Sequence, residues 1–342
     1  MYATIHVLRN IIYGAVSKGA NLDALCDSIN LDPTDLNDAE RRIAGVDVVV
    51  SLWKKVIEQT KDECFGLHLG ANNNASFLGL IGYLLQNCPT LKEVIEMLQK
   101  HQKLLSGWFS YEMKIENNEV VIYYVINPLW SKVSPETARQ AVEMSVSSTI
   151  SIMNILAGKN VPPVRMESEF SKPAVPDEHE RIYGCPVTFS KQDNRLFFRK
   201  DFLITPVMSH DRSLYVLFRQ ILHERETVLS ESMTFVEKVR RAVIHDFKGQ
   251  VPPVEVIASH LNFSNRSFQR KLEGENTSYR QIANEIKKEL TLTLLRSPHH
   301  TTGEIAKVLG YTDPSSFHAA FKSWTNETPT RWRERNDIRS PK

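Results

Sequence analysis

Cysteine is scarce in this chain of 342 residues: Cys26, Cys64, Cys88 and Cys185 are scattered, with no CxxC pair and no histidine at metal-ligand spacing. That excludes a zinc module, and buried reduced thiols are the expected role. Long apolar runs are missing too. No stretch approaches the ~20 residues that a membrane-spanning helix needs. The opening MYATIHVLRNIIYGAV is broken by His6, Arg9 and Asn10 and carries no small-residue cleavage site. Neither a membrane span nor a signal peptide is expected, and the address read from sequence is cytoplasmic. Catalytic signatures are equally absent: there is no GxSxG elbow, P-loop, HExxH or glycine-rich dinucleotide turn. Cys185, in GCPVTF, has no neighbouring histidine to activate it, so the chain reads as a non-enzyme without cofactor or metal. His299-His300, beside Pro298, reads as an exposed loop.

Strong overall charge is also lacking, the net being +2. The balance is uneven, however. Residues 231–342 hold 18 Lys+Arg against 13 Asp+Glu, a net of +5, and the preceding 230 residues hold 24 against 27, a net of −3. A basic module joined to a mildly acidic one suits a nucleic-acid reader with a separate sensing part. At 42% apolar, the chain is long enough for two cores.

What the sequence does contain is a duplicated helical unit. In GEIAKVLGYTDPSSFHAAFKSW, Ile305, Ala306 and Leu309 share a helical face, and Gly310 stands where a helix ends in the left-handed conformation. Asp313 is placed to cap a second helix, Pro314 suits its first position, and Phe317, Ala320, Phe321 and Trp324 form its inner stripe. Upstream, VIASHLNFSNRSFQRKL repeats the unit: Ile257, Ala258, Leu261, Asn262 and Phe263 match Ile305, Ala306, Leu309, Gly310 and Tyr311 at constant offset. Ser264 supplies the cap, and Phe268 and Leu272 the inner face. The outer face there is Asn265, Arg266, Ser267, Gln269, Arg270 and Lys271. Arginine forks onto guanine and glutamine pairs with adenine, so this face carries base-reading chemistry. The outer face of the second unit is plainer, with Ser315, Ser316, His318, Ala319, Lys322 and Ser323. Between the units, Ile282, Ile286, Leu290 and Leu294 mark one helix of somewhat under ~30 Å. With its flanking turns, such a helix could hold two recognition helices about one DNA turn, ~34 Å, apart.

Over Met233 to Arg335 these motifs resemble the DNA-binding domain of AraC/XylS-type bacterial transcription regulators, down to the ending with Phe321, Lys322, Trp324, Pro329 and Arg333. The resemblance implies base-facing positions at Arg266, Gln269 and Arg270, and at Pro314, Ser315 and Ala319. Family members usually present an arginine where this chain has Ala319 and often a basic residue at Ser323, so the second unit departs from the pattern. The DNA-contact set expected from motif and resemblance is Asn265, Arg266, Ser267, Gln269, Arg270, Lys271, Pro314, Ser315, Ser316, His318 and Lys322.

The larger N-terminal part reads as helical to about residue 105, with Thr90 a helix cap, and then changes period. WFSYEMKIENNEVVIYYVI alternates on both sides of Asn117-Asn118, a hairpin signal. A helix from Pro135 to Ala157 follows, then a strand at 164–170, a short helix at 177–183, and strands near 187–189 and 195–198. The expected class is an α+β domain followed by an all-α domain holding two helix-turn-helix units, at about 254–272 and 303–324, joined by a long helix. The polar ETVLSES, 226–232, is taken as the boundary, giving domains 1–228 and 229–342. Leu214, Leu217, Phe218 and Ile221 just before it form a stripe best read as core, with an interdomain contact or dimer seam as alternatives. Val236, Val239, Val243, Ile244 and Phe247 open the second domain as a helix ending near Lys248-Gly249.

FGLHLG, GLIGYLLQNCPTLKEVIEML and GCPVTFSKQDNRLFF are similar to the effector region of one AraC subfamily, that with an arabinose-binding-type N-terminal domain. The resemblance implies a promoter-binding activator controlled by a small organic effector, with double-stranded promoter DNA and RNA polymerase as partners and a homodimer as a candidate form. A carboxylate or apolar acid is among the candidate effectors. Trp108, Phe109, Tyr111, Tyr123, Tyr124 and Trp130 are candidates either to line an effector cavity or to form plain core. Two other functions stay open at this stage: a regulator acting through protein partners alone, and an alkyl-transfer repair enzyme.

Overall fold

The structure, a computed structural model, describes residues 2–38, 41–232, 234–247, 250–296, 301–311, 313–336 and 338. Residues 2–131 with 135–227 form one compact unit, and residues from 228 onward form the body of a second.

The first unit opens with β1 (Tyr2–Thr4), α1 (Ile5–Val16), α2 (Leu22–Asp27), β2 (Arg42–Ala44) and α3 (Val46–Thr60), β1 and β2 pairing as a small antiparallel ribbon. Helices α4 (Phe65–Ala71), α5 (Leu80–Gln86) and α6 (Leu91–His101) follow, and Thr90 caps α6 as expected. The change of period marks β3 (Phe109–Glu116) and β4 (Glu119–Ile126). Asn117 and Asn118 both take positive φ, 47° and 64°, the backbone that a two-residue hairpin turn requires and that asparagine tolerates. After α7 (Pro128–Val133) and α8 (Pro135–Ala157) come β5 (Arg165–Glu167), α9 (Pro176–Tyr183), β6 (Val187–Thr188), β7 (Arg195–Arg199) and α10 (Arg212–Ser232). The sheet order is β3-β4-β7-β5-β6, antiparallel except for the β5–β6 pair. The expected strand at 164–170 is confined to β5. The stretch 226–232 continues α10 as helix, because Glu, Thr, Val, Leu and Ser over one or two turns are compatible with a helix already running.

α8 is the pillar of this unit and packs on α3, α4, α6 and β4. It is buried nearly all round, polar residues included. Its hydroxyls turn inward on the helix: Ser147 Oγ donates to the Glu143 carbonyl at 2.8 Å, and Thr149 Oγ1 to the Ser145 carbonyl at 2.9 Å. α4 lies against α8 so closely that only glycine fits. A Cβ on Gly66 would stand 2.1 Å from the Gln140 carbonyl oxygen, and one on Gly70 2.3 Å from that of Met144. Gln140 then locks the pair, accepting from Gly66 N at 2.7 Å and donating to the Glu63 carbonyl at 2.6 Å. A polar strap runs alongside. His68 places Nδ1 2.7 Å from Asp62 and Nε2 2.8 Å from Glu178 on α9, and Glu178 also holds Arg181.

Among its described residues the second unit holds only helices: α11 (Phe235–Arg241), continuing as a π-turn over Ala242–Asp246, then α12 (Val254–His260), α13 (Asn265–Gly274), α14 (Tyr279–Arg296), α15 (Thr302–Val308), α16 (Pro314–Thr325) and α17 (Pro329–Arg335). Lys248, Gly249 and the His299-His300 pair lie outside the described residues. α14 serves two cores. Ile282 and Ile286 join Phe235, Val239, Val243, Ile257, Phe268 and Leu272, and Leu294 and Leu295 are buried at the other end of the same helix.

Candidate nucleic-acid interface and effector cavity

The two helix-turn-helix units share one turn, bond for bond. In the first, Asn262 takes φ 61°, Leu261 N donates to the Ile257 carbonyl at 3.1 Å, and Phe263 N to that of Ala258 at 2.8 Å. In the second, Gly310 takes φ 78°, Leu309 N donates to Ile305 at 3.1 Å, and Tyr311 N to Ala306 at 2.9 Å. Each second helix starts on the expected cap: Ser264 Oγ accepts from Ser267 N at 3.3 Å, and Asp313 accepts from Ser316 N at 2.8 Å. Phe268 and Leu272, and in the repeat Phe317 and Phe321, are fully buried. With the inner faces fixed, the outer faces have no freedom to rotate.

On α13 that leaves Asn265, Arg266, Gln269, Arg270 and Lys271 exposed. Ser267 is half-buried, and its hydroxyl accepts from Ser264 at 3.1 Å. Lys271 turns away from this face: its ammonium sits over the rings of Phe263 at 5.2 Å and Phe235 at 5.4 Å, which a cation on an aromatic face favours. On α16, Pro314, Ser315, Ala319, Lys322 and Ser323 are exposed. Ser316 spends its hydroxyl on Asp313 at 2.6 Å, and the half-buried His318 packs edge-on against Phe317. Arg333 is 1% exposed and donates Nε to the Leu295 carbonyl at 3.0 Å. It ties α17 to the C-terminal end of α14, where unsatisfied carbonyls favour a cation. Its place in the family pattern was legible; its burial was not.

Within the N-terminal unit, α1, α3, α8 and the segment 102–111 line a partly open cavity of about 70 Å³. Of the candidate aromatics, Phe109, Tyr111 and Trp130 line it, together with Trp53, Met144, Ser145 and Ser148. Trp108 and Tyr124 are buried outside the wall, Trp108 edge-on to Trp130 at 6.4 Å and Tyr124 edge-on to Tyr111 at 5.6 Å. Tyr123 is on the other face of β4, where its hydroxyl donates to Glu116 at 2.7 Å. Burial pushes the Tyr111 hydroxyl up to about 12, opposed by its hydrogen bond with Ser145. No sequence signal marked Trp53, Gln102, Met144, Ser145 or Ser148, which come from separate stretches of chain.

Among the described residues, no group of His, Cys, Asp and Glu could hold a metal ion. Burial pushes the thiols of Cys88 and Cys185 up to about 12 and that of Cys64 to about 11, so none is a ready nucleophile near neutrality. Among the described residues, no helix is long and apolar enough to cross a membrane.

Residues 19–207 match the family described as the arabinose-binding domain of AraC transcription regulators, and residues 257–335 match a helix-turn-helix domain. The chain is 25% identical to the Ornithine utilization regulator of Pseudomonas aeruginosa, over 92% of this chain and 91% of that one. It is 24% identical to the HTH-type transcriptional regulator VqsM of the same organism, over 78% and 83%. The crystal structure of the transcriptional regulator CdpR from Pseudomonas aeruginosa aligns over 91% of this chain and 97% of that one, with TM-score 0.44 and 18% identity. With both domains matched in one chain and the paired turns in place, the protein belongs to the AraC family of DNA-binding transcriptional regulators, with an arabinose-binding-type N-terminal domain.

Proposed function

We propose that residues 229–342 bind promoter DNA chiefly through α13, and that residues 1–228 control this binding through a small organic effector held in the cavity beside α8. The carrying observation is the exposed row Arg266, Gln269 and Arg270 on a helix whose opposite face is locked into the core. Such a row can fork onto base edges in a major groove. Ser315 and Lys322 on α16 serve phosphate contact and register. In this reading Asn265 supports the α13 contacts, Lys271 and Ser316 act structurally, and Pro314 and His318 shape the second helix.

The regulator acts as an activator by recruiting RNA polymerase, and it works as a homodimer. Support for the dimer comes from α10, where Leu214, Val216 and Leu217 are 42%, 56% and 48% exposed. Leu214 and Leu217, two of the four residues of the stripe expected to be core, are therefore on the surface. Of its members, Phe218 stacks on Tyr83 and Ile221 is half-buried.

The test is titration of the full chain with native promoter and scrambled duplexes across a salt series. Native DNA should bind more tightly, with affinity falling steeply as salt rises because Lys and Arg release condensed counterions. Arg270→Ala should narrow the gap between native and scrambled duplexes by ~1–3 kcal/mol. Equal binding of both duplexes by the unmodified chain overturns the reading.

A further inference from the structure

We propose that the effector is a neutral, mainly apolar small molecule carrying a single hydroxyl or carbonyl group, and not a sugar, an amino acid or a carboxylate. This rests on the reading of the cavity as the effector site. The described residues that line it include no Asp, Glu, Lys, Arg or His. A charged ligand would leave water with no opposite charge to meet it. Its polar groups are few, Gln102, Ser106, Tyr111, Ser145 and Ser148, and several are already engaged. Gln102 Oε1 accepts from Tyr111 N at 2.5 Å, and the Tyr111 hydroxyl pairs with Ser145. A pentose would bury more hydroxyls than this wall can satisfy. One polar group can be met by the wall, because Ser148 Oγ accepts from Asn73 at 2.9 Å and keeps its own proton to donate. Behind it, the buried Trp108 indole N–H has no acceptor among the described residues, and its ring abuts Trp130 at 6.4 Å.

Size adds a regulatory consequence. About 70 Å³ is less than the ~150 Å³ that accommodates a benzene-sized guest, so a guest of that size either pushes the wall apart or extends through the cavity's open side. The wall is built from α1, α3, β3 and the midpoint of α8, so a guest that pushes these apart favours a state of this unit that differs from the empty one. Differential affinity of this kind is what an effector needs.

The experiment uses the full-length chain at pH 7 with 1-hexanol, 2-hexanone, hexanoate, L-arabinose and L-ornithine as probes. Binding is followed by calorimetry and by tryptophan emission, since Trp53 and Trp130 line the cavity. Hexanol or hexanone should bind saturably and at least ~tenfold more tightly than hexanoate, a free-energy gap of one decade. Ala141→Leu and Ser148→Leu, which fill the cavity, should each weaken that binding ~tenfold or more in a chain that still melts cooperatively. The proposal is overturned if arabinose, ornithine or hexanoate binds more tightly than the neutral probes, if no neutral probe binds saturably, or if both filled variants fold and bind unchanged. DNA titration with and without the bound probe is read separately. Unchanged DNA affinity beside confirmed cavity binding would sink the effector-control reading and leave the ligand class standing.

Discussion

Asn262 and Gly310 hold the same left-handed backbone at equivalent turns, and this is why the duplicated unit could be found in sequence at all. Few residue types accept that conformation, so the requirement leaves a mark in the chain. Arg333 left a weaker one. Its type and position fit the family pattern, but its near-total burial depends on a carbonyl 38 positions away. Arg333→Met should cost ~1.5–3 kcal/mol, the range for a hydrogen bond to a charged group, read from urea unfolding of the full chain. Gly70→Ala drives a methyl to 2.3 Å from the Met144 backbone oxygen and should cost ~1–3 kcal/mol or more, as overpacking does. Gly274→Ala meets nothing within 4 Å and should stabilise by ~0.4–1 kcal/mol. If the two glycine variants unfold alike, the close approach of α4 to α8 is wrong. Ala319→Arg places a guanidinium on an exposed position of α16. Tighter binding to DNA in general is expected, read by titration against native and scrambled duplexes. Loss of binding by a folded Ala319→Arg chain would mean that α16 lies too close to DNA for a long side chain.

At the scale of elements, the sequence was most legible where one period ruled. α9 and the paired helices each have one buried face and local stop signals, and the β3–β4 hairpin has its Asn117-Asn118 turn. α10 misled because its apolar stripe has helical spacing whether or not anything covers it, and a polar tail does not stop a helix. The cavity was illegible for another reason: its wall draws on α1, α3, α8 and β3, and α8 is buried on so many sides that no single face announces itself. The strap from Asp62 through His68 to Glu178 makes a pH prediction. Arg181 first, then His68, hold the Glu178 carboxyl down at about 2. Its folded value lies below its ordinary one, so its contribution to stability is full above the usual carboxylate range and is lost as pH falls toward 2. Glu178→Gln should therefore flatten the acid limb of the stability profile between those limits, with little change in its slope near neutrality. An unchanged acid limb in melting curves would show that the strap contributes nothing.

For the molecule as a whole, composition already separated a basic C-terminal part from a mildly acidic remainder, and the two family matches, over 19–207 and 257–335, fall one in each part. Charge could not give the chemistry of the effector, because a cavity without charged walls is silent in a count of charges. One feature of the DNA-binding unit reaches beyond the protein. α14 is a single helix of 18 residues, ~27 Å long at the α-helical rise, whose two ends anchor the cores behind α13 and α16. Neither recognition helix can be re-aimed without disturbing the shared shaft. Under the proposed reading, in which α13 and α16 both meet DNA, the helix acts as a ruler, so operators should tolerate base changes under α16 better than changes in spacing. One inserted base pair between the two contacted segments turns the second by roughly 35° about the duplex axis, given 10–10.5 base pairs per turn, and should weaken binding more than any single substitution there.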